Sequence, residues 1–183
     1  KINATFVLGS EANVLSRFYK TAKKFKAKNI VRITADCPLI DPYLVDDMMK
    51  KFIKGKFDYI NNAKFAEYSD GFDIEIFNFN SLLDAYKKSK TSTEKEHVTP
   101  YLKNNEKLKT KRFKQVENFN SKLSIDYYQD FKNVEKIFNY FKPNIYFSIK
   151  SVFKKKLHTK ILYKGVAKYE ALSSKTVNGQ NLW

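Results

Sequence analysis

The sequence predicts an α/β fold built on a mixed, mainly parallel sheet. Three observations predict it. Short β-branched runs alternate with stretches of helical period. Two strand-like runs, 111–116 and 122–125, follow one another late in the chain with no helix between them, which adds an antiparallel component. The 183 residues are 43% hydrophobic and 16% aromatic, enough to bury a core.

Taken in order, residues 4–8 read as a strand. Ser10 is a fair N-cap, and Val14, Phe18, Ala22 and Phe25 recur at helical spacing as far as residues 28–29. Residues 29–35 form a β-branched strand that stops at Asp36-Cys37-Pro38, because Pro38 cannot continue a central ladder. Asp41-Pro42 supplies an N-cap with Pro at the first helical position. Leu44, Val45, Met48, Met49 and Phe52 make the apolar stripe of that helix, and Gly55 ends it. Residues 57–61 are a short strand, and Ser69-Asp70-Gly71 is a turn signal. Residues 72–77 alternate strictly, with Phe72, Ile74 and Ile76 on one face and Asp73 and Glu75 on the other. Asn80-Ser81 opens a helix that buries Leu82, Leu83 and Tyr86. Glu96-His97-Val98-Thr99-Pro100-Tyr101 starts a short helix or turn, and residues 133–141 are helical. From about Ser151 the pattern fades. The expected organisation is therefore one domain over residues 1–150 and a lysine-rich linker or tail over 151–183.

Composition excludes several classes. A single cysteine, Cys37, leaves no internal disulfide framework. No apolar run is long enough to span a bilayer and no signal peptide opens the chain, so a cytoplasmic protein without a membrane partner is expected. The net charge of +16 raises a nucleic-acid reading. Against it, only Arg17, Arg32 and Arg112 are arginines, and base-edge readout favours Arg. Residues 102–164 hold 16 basic and 5 acidic side chains, against 17 and 13 in residues 1–101. That excess reads as a solvated surface that helps attract anionic substrates.

Chemistry is sought beyond the carboxyl ends of strands, where open α/β sheets bind ligands. Asp36 and Asp126 each follow a predicted strand. Two such carboxylates can hold one hard divalent cation, or each can simply cap the next element. Asp73 and Glu75 share a strand face that is either solvent-exposed or a polar pocket for sugar hydroxyls. Glu96-His97 is a third candidate, although a lone His is more often structural. No glycine-rich phosphate loop can be built from five scattered glycines.

The segment Val31-Arg32-Ile33-Thr34-Ala35-Asp36-Cys37-Pro38-Leu39-Ile40-Asp41-Pro42 resembles the signature of bacterial cytidylyltransferase-like proteins of the spore-coat polysaccharide type, relatives of CMP-sugar synthetases. Three further stretches agree in order and spacing: Gly9-Ser10-Glu11 with Val14 to Tyr19, Asp70-Gly71-Phe72-Asp73-Ile74-Glu75-Ile76-Phe77, and Glu96-His97-Val98-Thr99-Pro100-Tyr101. Ser124-Ile125-Asp126 followed by Asp130 resembles a later strand-end aspartate. The resemblance covers about residues 4–141. It implies a three-layer α/β/α sandwich related to the GT-A nucleotide-sugar fold, in which a sugar oxygen attacks the α-phosphate of CTP and pyrophosphate leaves. It also implies Mg²⁺ between Asp36, Asp126 and the phosphates, with these two aspartates as the catalytic pair. Arg32, Thr34 and Ala35 would face the nucleotide, and Asp70, Gly71, Asp73, Glu75, Glu96 and His97 the acceptor sugar.

The family opens with an Arg- and Gly-rich loop that wraps the triphosphate, and that loop is not seen here. Ala35 stands where Gly is usual and Ser69 where Pro is usual. The expectation is a fragment of a larger enzyme, inactive alone, or a relic. Asn178-Gly179-Gln180-Asn181-Leu182-Trp183 resembles the lead-in to class III aminotransferase-like domains, which implies a possible fusion partner. A non-catalytic interaction module and a basic nucleic-acid-binding protein are the alternatives. The oligomeric state is open, a homodimer among the options.

Overall fold

The computed structural model describes residues 4–62, 71–113 and 122–157. The chain divides into two compact units, residues 1–32, 48–61 and 75–112 forming the first and residues 33–47, 62–74 and 113–183 the second.

The first unit holds the sheet. Its strands β1 (Asn29–Arg32), β2 (Tyr59–Asn61), β3 (Glu75–Asn78) and β4 (Thr110–Arg112) lie in the order β1-β3-β2-β4. β3 is antiparallel to both β1 and β2, and β4 is parallel to β2. Three strands therefore share one direction and only β3 opposes them; the sheet is mixed as expected, but its antiparallel member is β3 rather than part of the late pair expected at 111–116 and 122–125. Helices α1 (Val14–Lys24), α3 (Phe79–Lys88), α4 (Ser92–His97) and α5 (Pro100–Lys103) belong to the same unit. So does most of α2 (Pro42–Gly55), from Met48 onward. Leu15 and Ala22 of α1, Tyr59, Phe77, Leu82, Ala85, Val98 and Leu102 form one core. Each large side chain so buried stabilises the fold by about 1.5–3 kcal/mol.

The second unit has its own core of Leu39, Phe72, Leu123, Val134, Ile137, Ile149, Val152 and Phe153. Helices α6 (Tyr128–Phe141) and α7 (Ile149–Lys154) supply most of it. Asp41 caps α2 as predicted: one carboxylate oxygen accepts the backbone N–H groups of Tyr43 and Leu44 at 2.9 and 3.3 Å. The other accepts the N–H of Ile149 at 2.9 Å, a link of 108 residues made by a buried side chain.

Several expectations are corrected. Residues 4–8 form no strand, and Phe6 and Leu8 are 78% and 84% exposed, because no neighbouring strand among the described residues offers them a ladder. Asn13, not Ser10, caps α1 and accepts the N–H of Ser16 at 2.9 Å. The strand of residues 29–35 ends at Arg32, and the strand of 72–77 begins only at Glu75. Residues 122–125 form no strand. α6 begins five residues earlier than expected, because Asp130 reaches back to accept the Asp126 and Tyr127 N–H groups at 3.1 and 3.0 Å and so satisfies donors at the helix start. Packed chain continues past residue 150: α7 puts Val152 and Phe153 into the core. Asp70, Ser69 and the tail beyond Leu157 lie outside the described residues. Among the described residues no helix is long and apolar enough to cross a membrane.

Candidate active site

In the first unit, strand register builds a polar row. Arg32, Glu75, Asn61 and Arg112 are successive cross-strand partners. The row lies at the carboxyl ends of β1, β2 and β4, the edge where open α/β sheets bind ligands. Glu75 is 2% exposed. Its Oε2 accepts Arg32 Nη1 at 2.6 Å, and its Oε1 accepts Tyr59 Oη at 2.6 Å, Thr99 Oγ1 at 2.8 Å and Lys103 Nζ at 2.8 Å. Burial pushes its carboxyl pKa up, but the Lys103 charge and the bonds from Lys103 and Tyr59 outweigh that and hold it below the ordinary value. Burial and the neighbouring Glu75 charge push the Tyr59 hydroxyl well above its usual range, so Tyr59 stays a donor.

Thr99 reaches Glu75 through a strained turn. Val98 has φ 68° and ψ −49°, and the Thr99 N–H donates to the His97 carbonyl at 2.7 Å. This is a positive-φ γ-turn centred on a β-branched residue, a conformation that costs about 1–3 kcal/mol. It persists because Val98 is fully buried and Thr99 is bonded to Glu75.

In the second unit, Asp36 and Asp126 approach through the backbone. The Ile125 N–H donates to the Asp36 carbonyl at 2.8 Å, so residues 90 apart in the chain are drawn within one residue of contact. Asp36 is half-buried and accepts the Cys37 thiol at 3.6 Å. Burial pushes that thiol up to about 11, against a hydrogen bond from Thr34. Asp126 is half exposed and pairs with Lys122 Nζ at 2.6 Å. Lys122 also holds Asp130 at 2.7 Å. Its pKa is lowered by burial but raised more by these two carboxylates, to about 12.

Gly71 explains why this loop needs glycine. Its φ is +105°, and a Cβ there would sit 2.5 Å from the backbone of Leu123 and Ser124. The buried Asn62 holds residues 72–74, donating to the Phe72 carbonyl at 2.8 Å and accepting the Ile74 N–H at 2.6 Å.

The family profile of cytidylyltransferases matches residues 2–172. The chain belongs to that family. It is 39% identical over 100 residues to the uncharacterized protein MJ1063 of Methanocaldococcus jannaschii, covering 55% of this chain and 40% of that protein. It is 33% identical over 137 residues to the spore coat polysaccharide biosynthesis protein SpsF of Bacillus subtilis, covering 71% and 55%. A solved cytidylyltransferase structure from Leptospira borgpetersenii serovar Hardjo-bovis matches with a TM-score of 0.76 at 28% identity, over 87% of this chain and 69% of that one. The resemblance and the α/β fold with a mixed sheet are thus both borne out. The chain spans about half the length of the two sequence relatives.

Within this cytidylyltransferase fold the predicted residues separate. Arg32 and Glu75 meet in the first unit. Thr34, Ala35, Asp36, Gly71, Asp73 and Asp126 belong to the second, where the Asp73 backbone bonds to Cys37. Glu96 and His97 end α4 with exposed side chains. Glu75 departs from expectation most. It does not share an open strand face with Asp73, because Asp73 precedes the strand and four protein donors occupy the Glu75 oxygens. Sequence reasoning missed Tyr59, Thr99 and Lys103. The signal was an Arg and a Glu each set within an apolar strand, a pattern that calls for mutual pairing. A cavity of about 520 Å³ beside Tyr19, Lys23 and Phe79 holds none of the predicted residues.

Asp36 and Asp126 are the two carboxylates that the Ile125–Asp36 backbone bond brings towards one another. Among the described residues no group of three or more His, Cys, Asp or Glu could hold a metal ion. Two carboxylates suffice for Mg²⁺ when phosphates and water complete its shell.

Proposed function

We propose that the chain belongs to a sugar nucleotidyltransferase domain that activates a sugar with CTP. The new bond joins a sugar oxygen to the α-phosphorus, the bond from that phosphorus to the departing pyrophosphate breaks, and the hydroxyl proton passes to solvent. The observation that best supports this is the Ile125–Asp36 backbone bond, which draws Asp126 towards Asp36. Asp36 and Asp126 would hold Mg²⁺, which supplies charge neutralisation and alignment for an in-line displacement. Arg32, Thr34 and Ala35 serve the nucleotide. Asp70, Gly71, Asp73, Glu96 and His97 serve the acceptor sugar, Gly71 through its backbone. A role in surface polysaccharide assembly follows the name of the Bacillus relative.

The test is pyrophosphate release from CTP across a panel of neutral and acidic sugars, with the chain joined to the Arg- and Gly-rich triphosphate loop with which the family opens, because the chain alone is expected to be inactive. Release is expected with at least one sugar. Asp36→Ala and Asp126→Ala are each expected to lower it about a thousandfold, the scale of removing one electrostatic transition-state contact. Release unchanged in both variants, or absent with every sugar, overturns the proposal.

A further inference from the structure

Glu75 is buried, yet its contacts do not balance. Arg32 and Lys103 are two cations on one carboxylate. Among the described residues the Arg32 and Lys103 side chains have no other hydrogen-bond or ion-pair partner. Both remain open to solvent, at 18% and 41% side-chain exposure. Arg32 spends one of its five N–H donors on Glu75, and none of its remaining nitrogens is a buried atom without a partner. A carboxylate that only balanced charge in the core would need one cation. Here a second is drawn in, its helix following directly on the strained Val98 turn that also delivers Thr99.

We propose that Arg32 and Lys103 form an oxyanion-receiving pair at the carboxyl ends of β1, β2 and β4, with Glu75 as the positioning residue that holds both cations in place. The group received is a compact oxyanion, a phosphate or a sugar carboxylate. This choice of ligand rests on the nucleotidyltransferase reading; the site itself does not. An arginine offers a planar fork and a lysine a point charge, so together they can accept an oxyanion from two directions. The excess positive charge sits in a partly desolvated place, where it acts more strongly than the exposed lysines elsewhere on the chain.

An NMR chemical-shift titration of the chain at low salt tests this, with inorganic pyrophosphate, glucuronate and glucose as probes. The unaltered chain is expected to bind at least one of the two oxyanions. Lys103→Met is expected to weaken that binding about tenfold, the scale of one charge-assisted contact, and Lys103→Arg to restore it to within about threefold. Lys50→Met removes the same charge from an exposed position on α2 and is expected to change binding less than about twofold, which separates the site from the general field. A Lys103-dependent loss confined to pyrophosphate assigns the pair to phosphate. A loss confined to glucuronate assigns it to a sugar carboxylate, and loss of both to oxyanions in general. No oxyanion binding, equal binding by Lys103→Met, or an equal loss in Lys50→Met overturns the proposal. Glucose binding that falls with Lys103→Met also overturns it. Turnover is not read, so a chain that binds through Lys103 but, joined to the triphosphate loop, releases no pyrophosphate from CTP keeps this site and loses the reaction.

Discussion

The two units treat their carboxylates in opposite ways. In the first, Glu75 is buried and accepts four bonds, so nothing of it is left for a ligand. In the second, Asp36 is half-buried and Asp126 half-exposed, and the cation beside Asp126 is shared with Asp130. A carboxylate saturated by protein donors holds other groups in place. One left partly in water can exchange its partner for a metal-bound phosphate. Burial and donor count, not residue type, divide positioning carboxylates from binding ones.

The largest effect that can break this contrast is on stability. Glu75→Ala leaves Arg32 without its partner and strands the buried Tyr59 and Thr99 hydroxyls, and is expected to cost about 3–5 kcal/mol. Asp126→Ala in the second unit is expected to cost less than about 1 kcal/mol, since the pair is half in solvent and Lys122 keeps Asp130. Urea unfolding compares them, and equal costs would end the distinction. Next in size, Gly71→Ala adds a Cβ against the Leu123–Ser124 backbone at a positive φ, and is expected to cost about 1–3 kcal/mol in the same measurement. A neutral result would mean that the loop does not lie on this backbone.

The smallest effect is in acid. The Glu75 carboxyl is held below its ordinary value of 4.5, so its contribution to stability is full above that pH and is lost as the pH falls through its lower folded value. Unfolding free energy measured from pH 6 downward is expected to fall more steeply below about 4.5 in the unaltered chain than in Glu75→Gln, where that titration is absent. Parallel profiles would remove Glu75 from the acid response.

Much of the helical framework was legible in the sequence. Asp41-Pro42 announced α2 because a side-chain oxygen and a proline missing its N–H are both suited to a helix start. Strand limits were legible only in part. The alternation of residues 72–77 ignores that a strand exists only where a neighbour accepts its ladder, and pairing with Arg32 and Asn61 begins at Glu75. The same omission made residues 4–8 look like a strand.

For the site, the ordered motifs around Asp36, Asp73, His97 and Asp126 were enough to place the chain in its family, because they are local residue patterns that a linear reading can see. The backbone link between residues 36 and 125 lay beyond that reach, since nothing local encodes which distant segments meet. Local sequence determined helix starts, turn glycines and the identity of the acidic candidates, through short-range sterics and capping. Tertiary structure alone decided what each carboxylate does. Burial, and the donors brought by Tyr59, Thr99 and Lys103 from separate segments, set whether its charge is consumed inside the protein or left for a ligand.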